Sequence, residues 1–261
     1  MIRDLHFPNS AIVKAPESLI LRDGRKSWIE LPVRYGVFTH ERAGRCLIDT
    51  GYSPRVTRGT RSLPLRLYEA ILRPRLTEHA LPDAQGSIDT ILVTHLHADH
   101  VAALRDYPLA RIFADRDAIL HFLESDLQGL PHGVFRELLP DDLLDRLVDF
   151  AGLPVVEAPL SLGKGFDVFG DGSVLAIPLP GHMRGHTGFC FPQQDPPLLY
   201  AGDAQWLSQA VMEDRLPGAP ASWILDDEHD CHQSAARIRA FSRAGGQIVY
   251  CHDPEAPEGV S

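Results

Sequence analysis

With 261 residues, 44% of them apolar and 23% charged, and a mean hydropathy of −0.11, the chain has the composition of a globule that buries a sizeable core, which excludes a disordered chain. A formal charge of −10 sets the average surface field against phosphate backbones and anionic lipid, so neither nucleic acid nor membrane is an expected partner. The four cysteines, Cys46, Cys190, Cys231 and Cys251, form no CxxC pair, the chain opens on no basic-then-apolar leader, and no run approaches the roughly 20 apolar residues of a membrane span, all of which points to a reducing cytoplasm.

In chain order, residues 28–33, 35–40 and 46–49 read as strands, with 41–44 as a turn, so the start is rich in hairpins. The Pro- and Arg-rich stretch 52–86 reads as a loop that carries a helix near 65–72, with Leu65, Leu67, Ala70 and Ile71 at helical spacing. Residues 88–94 form a buried-strand run that stops at a histidine cluster, and 101–107 are expected to be helical. A strand at 110–114 and a helix at 115–124 repeat the rhythm. Residues 125–153 are expected to be mostly helical, with Leu143, Leu144, Leu147 and Val148 as a core stripe. Strand texture returns at 166–169, 174–179, 188–191 and 198–201, with a turn at 170–172, which predicts a second sheet. A helix at 231–243, a Gly245-Gly246 stop and a strand at 248–251 close the pattern. No internal repeat is visible, and the expectation is a single domain over 1–261 with inserted loop or helical segments at about 52–86 and 125–160 near the active site.

The chemistry is concentrated in Thr94-His95-Leu96-His97-Ala98-Asp99-His100, at a strand-to-helix turn. Imidazole and carboxylate suit zinc, iron and manganese, and several of them this close can converge on one ion. Completing two metal spheres needs donors from other strand ends. His186, in Pro180-Gly181-His182-Met183-Arg184-Gly185-His186-Thr187, lies in a glycine-bearing turn; Asp203 and His252 each end an apolar run. His229 and His232 open the helix near 231–243 and read as solvent-facing. Lys164-Gly165 lacks the rest of a phosphate loop.

These motifs resemble the metallo-β-lactamase-fold hydrolase superfamily, and most of all its branch of N-acyl-homoserine lactonase-like proteins. They occur in order as Leu47-Ile48-Asp49-Thr50-Gly51, Thr94 to His100, Gly181 to Thr187, Ala201-Gly202-Asp203 and Cys251-His252-Asp253, covering about residues 28–255. The resemblance implies an α/β fold, an αββα sandwich of two mixed sheets flanked by helices. It implies two divalent ions, Zn2+ with Fe or Mn as alternatives: His95, His97 and His186 hold one, Asp99, His100 and His252 the other, and Asp203 bridges. Asp49 would orient the cluster, since ligands need outer hydrogen-bond partners. The family ligand is matched here to His186, which leaves His182 as a pocket wall.

The implied activity is a dinuclear metal-dependent hydrolase that activates a water to open a lactone, ester or thioester of a small acyl substrate, with Asp99 or Asp203 moving the proton. In the lactonase branch a tyrosine lies three residues beyond the bridging aspartate; here that position is Trp206, whose indole is a donor only and which reads equally as a pocket wall for an acyl or aromatic group or as a core side chain. An iron-dependent persulfide dioxygenase-like oxidoreductase on the same fold is the alternative, because it keeps the same cluster. A flavodiiron protein is disfavoured by His97, and a nuclease by the charge and the lack of a nucleic-acid arm. A monomer or homodimer is expected. Arg55, Arg58, Arg61, Arg66, Arg73 and Arg75 concentrate in the first insert and read more as a solvated loop than as a feature that favours an anionic substrate.

Overall fold

The computed structural model describes residues 1–80 and 82–255; Leu81 of the expected insert and residues 256–261 of the expected domain lie outside the described residues. Internal contacts gather into two compact units, one built from residues 1–14 and 30–149, the other from residues 15–29 and 150 onward.

The first unit carries strands β1 (Ile2–His6), β2 (Asn9–Pro16), β3 (Trp28–Arg34), β4 (Gly36–His40), β5 (Gly44–Ile48), β6 (Arg75–Leu76), β7 (Thr90–Leu92), β8 (Arg111–Ala114) and β9 (Leu147–Asp149), of which β2 and β3 run past its boundary. Its main sheet has the order β1-β4-β5-β7-β8-β9, and a small sheet has the order β3-β2-β6. Strands β4 and β5 form the expected hairpin, pairing Val37 with Leu47 and Phe38 with Cys46. From β5 onward the main sheet is parallel, and Leu47, Ile48, Ile91, Leu92, Ile112 and Phe113 are all buried, as parallel strands covered on both faces require.

Three expectations need correction in this unit. Strand β3 pairs with β2 and not with β4, and β1 and β2 were not foreseen. Asp4 at φ +56° and Pro8 break the alternation that would have announced them. The helix expected at 101–107 is a four-residue turn, Ala98–Val101, followed by a single 3-10 turn at Leu104–Asp106. Residues 125–153 are not mostly helical: short turns at Asp126–Gly129, Leu130–His132 and Arg136–Leu138 give way to β9, so Leu147 and Val148 extend the sheet beside Ile112 and Phe113. Pro131, Gly133 and Pro140 interrupt any longer helix. The helices expected near 65–72 and 115–124 are present as Leu63–Leu72 and Arg116–Glu124, the latter capped by Asp115, whose carboxylate accepts from the Ala118 N–H at 2.7 Å.

The second unit holds the second expected sheet, β10 (Val155–Ala158), β11 (Gly163–Asp167), β12 (Leu175–Pro178), β13 (Thr187–Phe191), β14 (Leu198–Gly202) and β15 (Gln247–Tyr250), in sequence order. It is antiparallel as far as β14, and β15 pairs with β14 in parallel. The helix Glu228–Arg243 starts three residues before the expected 231, where the Asp227 carboxylate accepts from the Asp230 N–H at 2.9 Å. It buries Ile238 and Phe241 among Leu175, Ile177, Leu179 and Leu199, each such side chain contributing about 1.5–3 kcal/mol. Two mixed sheets with helices bear out the α/β class. Among the described residues no helix is long and apolar enough to cross a membrane.

Candidate metal centre

In the first unit the donors gather where the parallel strands β5 and β7 end side by side. The Asp49 N–H donates to the Leu92 carbonyl at 2.7 Å, continuing the ladder, and Asp49 then turns out of the strand at φ +60°. Its carboxylate thereby meets the residues that follow β7. The Thr94 N–H donates to Oδ1 at 2.8 Å, the Thr94 hydroxyl to Oδ2 at 2.8 Å, and Nδ1 of His100 lies 2.7 Å from Oδ2. Asp49 and His100 are both wholly buried. Burial pushes the Asp49 carboxyl above the usual carboxylate range, against the opposing pull of His100 and Thr94.

The network continues from Thr94 to the other two histidines. Nδ1 of His95 lies 2.9 Å from the Thr94 hydroxyl oxygen, and Nε2 of His95 faces Nδ1 of His97, also at 2.9 Å. With Asp49 ionised, one proton arrangement satisfies every short contact: His97 donates to His95, His95 to Thr94, and Thr94 to Asp49, while His100 donates to Asp49 through Nδ1. Two imidazole nitrogens aimed at each other across 2.9 Å share a single proton, and a cation lying against both takes that proton's place. Asp99 is half-buried, with Oδ2 3.8 Å from Nε2 of His100. Gly133, in the second expected insert, lies over His97: a Cβ there would sit 3.4 Å from the His97 ring carbon Cδ2.

The second unit repeats the arrangement at the ends of its parallel pair, β14 and β15. Asp203 follows β14 and His252 follows β15, and Nε2 of His252 lies 3.2 Å from Oδ2 of Asp203. Nε2 of His182 lies 3.6 Å from the same oxygen, and the Trp206 indole N–H donates to it at 3.0 Å. The Trp206 ring also meets the His182 ring edge-on, with centroids 5.8 Å apart. Asp203, Cys251 and His252 offer donor atoms that all lie within 4.8 Å of one another. Asp253 points elsewhere, accepting from the Ser208 N–H at 2.6 Å, where the helix Ser208–Glu213 begins.

The two histidines of the glycine-bearing turn are not placed as expected. His186 is built into the backbone: its Nδ1 donates to the Leu179 carbonyl at 3.1 Å, and its Nε2 accepts from the Asp203 N–H at 3.1 Å. A nitrogen that holds an amide proton has no lone pair left for a metal. His182, expected as a pocket wall, is the one that faces the Asp203 carboxylate. Sequence spacing did not separate them, because each follows a glycine in the same turn. Of the helix histidines, His229 sits against Gln233 and His232 pairs with Asp214 at 3.1 Å, and neither joins the cluster of its unit.

Gly181 shapes that turn. At φ +121°, a Cβ would lie 2.2 Å from the backbone nitrogen of Cys231. Its carbonyl accepts from the N–H groups of Asp226 and Asp227, at 2.9 and 3.0 Å. Gly181→Ala is expected to destabilise the protein by roughly 2 kcal/mol or more, read as a lowered denaturation midpoint. An unchanged midpoint would contradict the close approach.

No ion is part of this structure, so the fit rests on the donor chemistry. Imidazoles and buried carboxylates crowd within hydrogen-bonding distance, with no lysine or arginine among the partners of Asp203 described above. That is the donor set of a divalent transition metal and a costly arrangement without one.

The metallo-beta-lactamase superfamily model matches residues 30–230. The chain is 26% identical over 246 residues, 90% of its length and 87% of the relative's, to N-acyl homoserine lactonase AttM of Azorhizobium caulinodans. It is 29% identical over 126 residues, 48% of its length, to a hydroxyacylglutathione hydrolase of Bartonella henselae, of which it covers 38%. Among solved structures, a quorum-quenching N-acyl homoserine lactone lactonase superposes with a TM-score of 0.72 at 17% identity, covering 100% of this chain and 96% of that one. The dizinc quorum-quenching lactonase AidC, in complex with its product, superposes with a TM-score of 0.62 at 13% identity, covering 96% and 87%.

Proposed function

Because the chain belongs to the metallo-β-lactamase superfamily, we propose that it is a dinuclear metal-dependent hydrolase that opens a lactone, ester or thioester of a small acyl compound, acting as one domain. His95, His97 and His182 would hold one divalent ion and Asp99, His100 and His252 the other, with Asp203 available to both; His182 replaces His186 in the expected set. Two such ions, zinc in the first instance, would supply Lewis-acid chemistry: an activated water at neutral pH and a polarised acyl carbonyl. The observation that carries this reading is the convergence of His182, His252 and Trp206 on one buried oxygen of Asp203.

The chain's own residues supply the rest. Asp49 fixes the His100 ring and, through Thr94, the His95 ring, so their remaining nitrogens are already oriented before an ion arrives. Asp99, the least buried of the donors in its cluster, is placed to pass a proton between the reacting group and water. Gly133 beside His97 gives the second insert a part in shaping the acyl pocket. A lactone is the favoured substrate, on the strength of the AttM and AidC likenesses.

Metal analysis of purified protein, combined with a panel of lactones, aryl esters and acyl-thioesters, tests the proposal. Two divalent ions per chain are expected, together with hydrolysis that a chelator abolishes and added Zn2+ or Mn2+ restores. One iron per chain, oxygen uptake with persulfides and no hydrolysis across the panel would replace it with the dioxygenase reading.

A further inference from the structure

The Trp206 indole lies three residues beyond Asp203, and its N–H is committed to Oδ2 of Asp203 at 3.0 Å. An indole has one hydrogen-bonding group, a donor, and no acceptor capacity. Its ring is held in place by the edge contact with His182. Resting on the reading of Asp203 as the shared ligand, we propose that Trp206 is a positioning residue that fixes the carboxylate so that one oxygen faces both His182 and His252, and thereby sets the affinity of the centre for its metals. The N–H bonded to the carboxylate is then not available to a substrate carbonyl, so position 206 acts on the metals and not on the acyl group.

Without that N–H, Oδ2 of Asp203 loses a donor that helps set the rotation of the carboxylate, and it faces the two imidazoles less rigidly. Outer hydrogen-bond partners of metal ligands typically govern affinity by about 10–100-fold, and that is the size of effect expected here. Trp206→Phe keeps an aromatic ring beside His182 and removes the donor together with one of the two fused rings. Trp28 and Trp223, at 68% and 78% exposure, are the other two tryptophans, and replacing both with Phe leaves Trp206 as the single tryptophan emitter.

Two measurements test this role. Co2+ affinity, determined by competition with a chelator, is expected to fall by about 10–100-fold in Trp206→Phe while the thermal midpoint without metal stays near that of the parent. In the Trp28→Phe/Trp223→Phe protein, Co2+ is expected to quench Trp206 emission in proportion to site occupancy. Parental Co2+ affinity in Trp206→Phe, or emission indifferent to bound Co2+, overturns the role given to Trp206 and leaves the hydrolase proposal standing. A parent protein that binds no Co2+ at all overturns both, so the two failures are told apart. Should Trp206→Phe fold poorly, the emission measurement still separates quenching from indifference, because it leaves Trp206 in place.

Discussion

A His182→Ala protein is expected to lose metal and more than about 10²-fold of its hydrolytic rate, whereas His186→Ala is expected to keep two ions per folded chain and lose stability instead. The asymmetry follows from what each ring touches. Nε2 of His182 faces Oδ2 of Asp203 at 3.6 Å, and nothing about that contact holds the backbone together. Removing a direct donor costs at least as much as removing an outer partner, for which about 10–100-fold is typical. His186 instead ties the Leu179 carbonyl to the Asp203 N–H across its ring. Deleting it leaves two buried backbone groups unsatisfied, at about 1–3 kcal/mol each. Metal content per chain and the midpoint of denaturant unfolding, measured on both variants, separate the two roles. The assignment is falsified if His186→Ala is the variant that empties the site.

The second large effect is expected at Asp49. Its carboxylate accepts from the Thr94 N–H and hydroxyl and pairs with His100 in a fully buried setting. Truncation to Ala removes one partner of a buried charged network and is expected to cost roughly 3–5 kcal/mol. In thermal melts that is a fall on the order of 10 °C for a chain of this size. Asp49→Asn tests the chemistry separately from the volume. It turns one acceptor into an NH2 donor facing either the His100 Nδ1 proton or the Thr94 N–H, so it should recover little of the loss. Full recovery by Asn would mean that the carboxylate serves only to fill space. Metal affinity should fall in both variants, because His100 and His95 lose the anchor that orients them.

How much of this the sequence disclosed follows from how local each signal is. The cluster from Thr94 to His100 is contiguous, and Asp203 and His252 end apolar runs, so their kinship with strand ends could be read directly. Asp49 was legible only through the resemblance, as the aspartate of Leu47-Ile48-Asp49-Thr50-Gly51. The choice between His182 and His186 was not, because it depends on a turn whose direction is set by Gly181 packing on the backbone of Cys231, far away in sequence. Trp206 was visible as a departure from the lactonase-like branch, but its bond to Asp203 depends on how the chain turns after β14. Gly133 carries no signal at all, since a glycine beside a histidine from a distant part of the chain has no spacing to detect. The misread segment 125–153 has a different cause: Leu143, Leu144, Leu147 and Val148 fit a helical stripe, and only partnership with β8 shows that the last two belong to a strand.

The ends of two parallel strand pairs, β5 with β7 and β14 with β15, carry all the donors except His182, and the two inserts carry none of them. Ladder hydrogen bonds run up to those ends, whereas residues 52–80 and 82–86, apart from the two-residue strand β6, and the stretch around Gly133 run through short helices and turns. On the proposed function, reactivity and selectivity fall on separable parts of the chain. A library that varies the two inserts while leaving the strand ends untouched should yield proteins that still load metal and differ in which acyl compounds they accept. For an engineer or for natural selection, the scaffold is one whose preference can drift without the reaction being rebuilt each time.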